Sequence, residues 1–102
     1  MSYIEATIER EAEKMSTLLG LYKKQLDALP KGTLRVRERN GKRYYYLSYR
    51  KDSKVVTDYV GKNENAITSL KGQLKRRQDI ERLAKAIKRE LRLMHKAMEA
   101  VK

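Results

Sequence analysis

The sequence predicts an α+β fold: a long N-terminal helix, a three-stranded antiparallel β-meander, and a long C-terminal helix packed on the first. Apolar residues recur at helical spacing over residues 3–29 and again over residues 64–101. Residues 33–60 alternate between apolar and polar, as half-buried strands do, and an Asn40-Gly41 pair among them marks a hairpin turn. A chain of 102 residues without a visible linker or repeat is expected to form one domain, 1–102.

The first helix is predicted over residues 3–29. An apolar residue recurs there every seven positions, at Ile8, Met15, Tyr22 and Leu29. Pro30 ends the helix, because its ring disfavours the helical conformation of the residue before it. A heptad of this length is typical of a helix that packs against another long helix. We expect that partner to be the C-terminal helix of the same chain, and the alternative is a homodimer through residues 4–29.

Asn40 and Gly41 are predicted to form a two-residue type I′ turn, because both tolerate the positive φ angles that this turn requires. Counting outward from the turn places Arg37 opposite Tyr44 and sorts the strand side chains onto two faces. The set expected to face the core is Leu34, Val36, Tyr45, Leu47 and Tyr49. The set expected on the opposite face is Arg35, Arg37, Lys42, Tyr44, Tyr46 and Arg50.

A third strand is predicted over residues 54–60. We expect an odd number of residues in the loop before it, which places Val55 and Tyr59 on the core face and Asp58 among the arginines. An even number would instead bury Asp58 near Leu47. Burying a carboxylate without a partner costs several kcal/mol, so the odd loop is favoured.

The second helix is predicted over residues 64–101, with Asn63 as its N-cap. The apolar stripe of its second half consists of Ile80, Leu83, Ile87, Leu91, Met94, Met98 and Val101. The stripe of its first half, Ile67, Leu70 and Leu74, is out of line with the second. We therefore expect a kink or a break near the polar run at 76–79, with Asp79 as a candidate cap.

Positive charge is the strongest property of the chain. It has 25 Lys and Arg against 13 Asp and Glu, a formal net charge of +12 and a pI of about 10.0. The four basic and five acidic residues of segment 1–30 nearly cancel, whereas segment 31–63 has ten against three and segment 64–102 has eleven against five. Such an excess predicts a polyanionic partner, most often nucleic acid.

Two surfaces collect this charge. The first is the hairpin face defined above, where cations alternate with rings that can stack on bases. The second is a stripe along one side of the C-terminal helix, formed by Lys71, Lys75, Arg82, Lys85, Arg89, Arg92 and Lys96. A ladder of cations matches the phosphates of a nucleic acid. The alternatives are a solvated outer helix face and tyrosines chosen as strand formers.

Catalysis, metal binding and cofactor binding are not expected. The chain has no Cys, its one His (His95) has no second ligand at metal spacing, and no paired carboxylates occupy an apolar setting. No apolar run approaches the ~20 residues that span a bilayer, and no secretory signal is visible. We therefore expect a cytoplasmic protein without a membrane partner.

The central segment contains the runs Leu29-Pro30-Lys31-Gly32-Thr33-Leu34, Tyr44-Tyr45-Tyr46-Leu47-Ser48-Tyr49-Arg50, Lys54 and Tyr59-Val60-Gly61-Lys62. Through these residues, the chain over about residues 29–90 resembles a family of small uncharacterised basic proteins of phages and mobile elements. The resemblance implies a mobile-element setting. Residues 32–62 are also similar in pattern to the arm-type DNA-binding domains of tyrosine recombinases, which implies a small sheet that enters a DNA groove.

The sequence thus predicts a non-catalytic protein of a phage or mobile element that binds DNA, RNA or a nucleoprotein complex. The hairpin face would supply stacking and groove contacts, and the helix stripe would supply phosphate contacts. One alternative is an anti-CRISPR-type inhibitor that binds the guide RNA or an acidic surface of a nucleoprotein effector. A second alternative is a homo-oligomeric helical module whose charge only keeps it soluble.

Overall fold

The computed structural model describes residues 2–101 and confirms the predicted α+β fold. Its elements, in chain order, are α1 (Tyr3–Ala28), β1 (Thr33–Arg39), β2 (Lys42–Lys51), β3 (Lys54–Gly61) and α2 (Glu64–Val101). The strands form one antiparallel sheet in the order β1-β2-β3. No helix in the described part of the chain is long and apolar enough to cross a membrane.

The chain divides into two compact units. The helical unit comprises residues 2–28 and 79–101. The sheet unit is Leu29–Gln78, which contains all three strands and the first part of α2. Within the sheet unit, Arg77 of α2 donates a hydrogen bond from Nη1 to the carbonyl oxygen of Leu29 at 3.1 Å.

Helix α1 starts with an N-terminal cap formed by Ser2 and Glu5. The Ser2 hydroxyl oxygen accepts a hydrogen bond from the Glu5 backbone N–H at 3.1 Å and donates one to the Glu5 carboxylate at 3.2 Å. A serine followed three residues later by glutamate is the pattern of a capping box, which satisfies free N–H groups of the first turn. The helix ends at Ala28, one residue before the predicted end and two before Pro30.

The β1–β2 hairpin has the predicted register. Asn40 and Gly41 form the turn with φ angles of 52° and 75°, and Arg37 pairs with Tyr44. All seven Cα pairs follow from that turn, out to Thr33 opposite Ser48. The prediction succeeded because an Asn-Gly pair provides positive φ at both turn positions with little strain.

The predicted odd loop before β3 is wrong. Asp52 and Ser53 form a second two-residue turn, with φ angles of 51° and 67°, and Asp58 lies opposite Leu47. The desolvation argument fails because the Asp58 side chain is exposed and has a partner. The Tyr49 hydroxyl donates a hydrogen bond to Asp58 Oδ2 at 2.8 Å.

The corrected register moves two side chains to the other face of the sheet. Val55 lies opposite Arg50 and Tyr59 opposite Tyr46, so both share the face of the arginines instead of the core face. Their exposed fractions are 67% and 57%. Val36, expected in the core, is also half exposed at 49%.

Helix α2 is continuous from Glu64 to Val101, so the break expected near 76–79 as one alternative to a kink does not occur, and Asp79 lies inside the helix instead of capping one. Its N-cap is Asn63, as predicted: the side-chain oxygen accepts hydrogen bonds from the backbone N–H groups of Asn65 and Ala66 at 2.9 and 3.2 Å. The two misaligned apolar stripes fall in different units. Ile67 is buried in the sheet unit, whereas Ile80 and Ala84 are buried in the helical unit.

Gly32 meets a backbone constraint just before β1. Its φ is 128°, and a Cβ atom added there would lie 2.5 Å from the Ser48 carbonyl oxygen. We expect Gly32→Ala to lower the free energy of unfolding by about 2 kcal/mol, because both the φ angle and the close approach disfavour a side chain. Urea denaturation followed by circular dichroism measures this change.

The matched control for Gly32 is Gly72→Ala in α2. Nothing lies within 4 Å of a Cβ atom at Gly72. Since alanine favours a helix interior over glycine by about 1 kcal/mol, this variant should be as stable as the wild type or more stable. Equal stability of the two alanine variants would contradict the account of Gly32.

The Tyr49–Asp58 hydrogen bond predicts a pH dependence. The hydrogen bond to the Asp58 carboxylate raises the pKa of Tyr49 above its ordinary value of 10.0. Desolvation of Tyr49 and repulsion between ionised Tyr49 and Asp58 raise it further by smaller amounts. A raised pKa in the folded state adds stability below pH 10 that is lost as the pH rises through the folded pKa. Asp58→Asn should move the Tyr49 pKa back towards its ordinary value in an NMR titration of the tyrosine ring carbons.

Unfolding measurements complete this test. The stability difference between wild type and Asp58→Asn should shrink as the pH passes above 10, because ionised Tyr49 no longer donates its proton. Asp27→Asn in α1 is the control and should leave the Tyr49 titration unchanged. The same Tyr49 titration curve with and without Asp58 would show that the hydrogen bond is not formed in solution.

Candidate nucleic-acid interface

One face of the sheet gathers the predicted hairpin residues. We name it the Arg–Tyr face, and its members are Arg35, Arg37, Lys42, Tyr44, Tyr46, Arg50 and Tyr59. The first six were predicted to share this face, and the observed β1–β2 register places them on one side of the strands. Tyr59 is the addition, and it comes from β3.

Three tyrosine rings form a cluster on this face. The Tyr59 ring centroid lies 5.4 Å from that of Tyr46 and 6.4 Å from that of Tyr44, with interplanar angles of 55° and 40°. These are the tilted arrangements that aromatic pairs prefer. Tyr44 and Tyr46 are half-buried, whereas Tyr59 is 57% exposed. The Tyr59 ring is therefore exposed to solvent and is supported by contacts with the rings of Tyr44 and Tyr46.

Arginines border the tyrosine cluster. The Arg37 guanidinium carbon lies 5.5 Å from the Tyr46 ring centroid, within the range of a cation–π contact. Arg35 and Arg50 are exposed on the same face. The two acidic residues of the strands, Glu38 and Asp58, lie on the opposite face. The Arg–Tyr face is consequently cationic without a strand carboxylate to offset it.

The carboxylates of the opposite face have protein partners of their own. Glu38 accepts a hydrogen bond from Arg43 Nε at 3.2 Å, across the β1–β2 hairpin. That hydrogen bond is the largest cause that raises the pKa of Arg43 above its ordinary value. The segregation of acids from the Arg–Tyr face is thus built into the strand alternation and fixed by side-chain pairs.

The prediction from sequence missed Tyr59 because it assumed an odd number of residues in the turn between β2 and β3. An odd loop before β3 sends Tyr59 to the core face, whereas the observed two-residue turn sends it to the Arg–Tyr face. A usable signal was present in the sequence. Asp and Ser at positions 52 and 53 are both turn residues, and Asp tolerates the left-handed conformation that a two-residue hairpin turn needs.

The residues of the helix stripe lie on one continuous helix and are divided between the two units. Its residues Arg82, Lys85, Arg89, Arg92 and Lys96 are exposed and belong to the helical unit. Of these, Arg82 binds the Asp79 carboxylate one turn earlier. Lys71 and Lys75 belong to the sheet unit. Lys71 Nζ lies 5.6 Å from the ring centroid of Tyr45, which is on the face of the sheet opposite the Arg–Tyr face.

The Arg–Tyr face combines two kinds of group that nucleic-acid-binding surfaces use, cations and an exposed aromatic ring. Its cations can neutralise phosphates, and its exposed ring can stack on a base. Among the described residues, no group of three His, Cys, Asp or Glu side chains is placed to hold a metal ion.

Comparison with known proteins identifies one family. No curated protein and no solved structure matches the chain significantly. A family model with the description "Domain of unknown function (DUF6788)" matches residues 1–68. The matched segment contains the whole Arg–Tyr face and none of the helix stripe. Two thirds of the chain is covered, and the chain therefore belongs to the DUF6788 family.

Proposed function

We propose that the protein binds nucleic acid without catalysis, through the Arg–Tyr face. The observation that carries the proposal is the tyrosine cluster: three rings with centroids 5.4 and 6.4 Å apart, set among exposed arginines on a face without a strand carboxylate. The preference of tyrosine for strands does not explain why Tyr59 is exposed or why its face lacks a strand carboxylate. Both features suit a surface that accepts bases and phosphates together.

Single-stranded or looped nucleic acid fits this surface better than a duplex. A base can stack on Tyr59 only where it is not already stacked between neighbours of its own strand. Arg35, Arg37, Lys42 and Arg50 then lie around the rings to contact phosphates. In the helical unit, the exposed cations Arg82, Lys85, Arg89, Arg92 and Lys96 would by themselves make sequence-independent phosphate contacts.

A second candidate function, self-association, is favoured by a different observation. No residue of α1 is buried, and Leu18 and Leu21 are 39% and 51% exposed. On α2, Leu83 and Leu93 are 48% and 53% exposed. Long helices in proteins owe most of their stability to a packed apolar face, so this degree of exposure favours a second copy of the chain as a further packing partner.

Tyr59→Ala should weaken binding to a labelled single-stranded oligonucleotide by about 5- to 150-fold in fluorescence anisotropy, since stacking on an aromatic ring contributes about 1–3 kcal/mol per base. The matched control is Tyr3→Ala, a tyrosine in α1 that is 82% exposed and distant in sequence from the face. The control should bind as the wild type does. Equal effects of the two substitutions would contradict stacking on Tyr59.

Salt dependence tests the cationic part of the same interface. The slope of log affinity against log salt should be clearly negative, and Arg35→Gln should reduce it by about 0.7 for a single strand. Lys23→Gln in α1 is the control with the same change in charge. A salt slope near zero, or no oligonucleotide binding at low salt, would reject the proposal. If the protein then captured one nucleoprotein effector in stoichiometric amount, the alternative of an anti-CRISPR-type inhibitor would be favoured.

Self-association is tested by mass measurement during size-exclusion chromatography. If a second copy covers the helices, the average mass of the wild type should rise with protein concentration towards twice the mass of one chain. Leu21→Glu should shift the equilibrium to monomers, because a carboxylate is costly to bury at an interface. Lys24→Glu, an exposed position on the same helix, should not. A wild type that stays monomeric at high concentration would exclude this function.

A further inference from the structure

A basic depression lies in the sheet unit, away from the tyrosine cluster. It has a volume of about 580 Å³ and opens between the turn end of β2 and the first turns of α2. Lys42 and Arg43 border it from β2, and Lys62 borders it from the link that follows β3. Thr68 and Lys71, one helical turn apart, border it from α2.

The charges around the depression are unbalanced. Four cations border it, and within residues 2–101 the only bordering carboxylate is that of Glu64. Arg43 is already paired with Glu38 at 3.2 Å. Among the described residues, no ion pair engages Lys42, Lys62 or Lys71. Three lysines set against Glu64 leave an excess of two positive charges.

One of the three lysines is held in place by the protein. The Nζ atom of Lys71 lies 5.6 Å from the Tyr45 ring centroid, and Tyr45 itself borders the depression. A cation held over a ring keeps its remaining N–H donors available, so Lys71 has less conformational freedom to lose when an anion arrives. The Thr68 hydroxyl supplies a neutral donor one turn earlier on α2.

We propose that this depression is a binding site for a phosphate monoester dianion. The excess of two charges matches the charge of a terminal phosphate near neutral pH, whereas a phosphodiester inside a nucleic-acid chain has one negative charge. Ammonium groups and a hydroxyl are ordinary ligands of phosphate oxygens. The phosphate belongs either to the end of a nucleic-acid chain or to a small molecule such as a mononucleotide.

Lys42 links this site to the interface proposed above. It borders the depression, and by strand alternation it shares a face with Tyr44, two residues along β2. A nucleic acid on the Arg–Tyr face could therefore place its terminal phosphate in the depression. This connection rests on the proposed function, but phosphate binding by the depression does not.

The direct test is titration of the ¹⁵N-labelled full-length protein with inorganic phosphate at constant ionic strength, followed by NMR. Saturable shifts are expected at the backbone amides of Lys62, Thr68 and Lys71. Lys62→Gln and Lys71→Gln should each weaken phosphate binding about tenfold. Lys88→Gln, which removes an exposed lysine of the helical unit, should leave it unchanged. Absence of saturable shifts, or equal weakening by Lys88→Gln, would overturn the site.

A second comparison identifies the source of the phosphate. Two oligonucleotides of one sequence, with a 5′-phosphate and with a 5′-hydroxyl, are titrated separately. Tighter binding of the phosphorylated strand that is lost in Lys62→Gln assigns the site to nucleic-acid ends. Equal binding of both strands, with saturable binding of a nucleoside monophosphate, assigns it to a small molecule.

The two proposals can fail separately. Tyr59→Ala should weaken oligonucleotide binding and leave the phosphate-induced shifts intact. If no oligonucleotide binds and phosphate still saturates the depression, the Arg–Tyr interface is wrong and the phosphate site stands. If oligonucleotides bind and phosphate does not, the phosphate site is wrong.

Discussion

Two tight turns decide which face of the sheet most strand side chains of this protein occupy. Asn40-Gly41 and Asp52-Ser53 each close a hairpin with two residues, and all four have positive φ angles between 51° and 75°. Because strand side chains alternate, a two-residue turn leaves only one sorting of the neighbouring strands onto two faces. The tyrosine cluster, the arginines around it and the acids on the opposite face are all consequences of that sorting.

The sequence predicted those parts of the fold whose signals are local and strong. The Asn-Gly turn specified the β1–β2 register down to each pair, and the Asn63 cap was recognised from its residue type. The predicted β3 register is wrong because it was inferred from burial, which depends on the whole fold and not on the local sequence. The prediction assumed that the face carrying Asp58 is buried, whereas Asp58 is exposed and accepts a hydrogen bond from Tyr49. Local turn chemistry was the better guide there.

Helix α2 shows a second limit of prediction from sequence. Its misaligned stripes indicated an interruption, yet the helix is continuous. A change of stripe marks a change of packing partner, and the backbone need not break to make it. Ile67 is buried within the sheet unit and Ile80 within the helical unit, on either side of the boundary between the two. The proposed phosphate site could likewise not be predicted from the sequence, because Lys42, Lys62 and Lys71 belong to three separate segments that only the fold brings together.

The strand order has a consequence for contacts between copies of the chain. In a sheet ordered β1-β2-β3, both outer strands present an open edge, and open edges can pair with other chains. The outer strand β1 carries Arg35 and Arg37, whose repulsion between copies would oppose pairing of two β1 strands. The same arginines would neutralise a bound polyanion. Occupation of the Arg–Tyr face would then remove the repulsion that keeps the β1 edges of neighbouring molecules apart, and coupling of this kind would favour side-by-side assembly along a nucleic-acid strand.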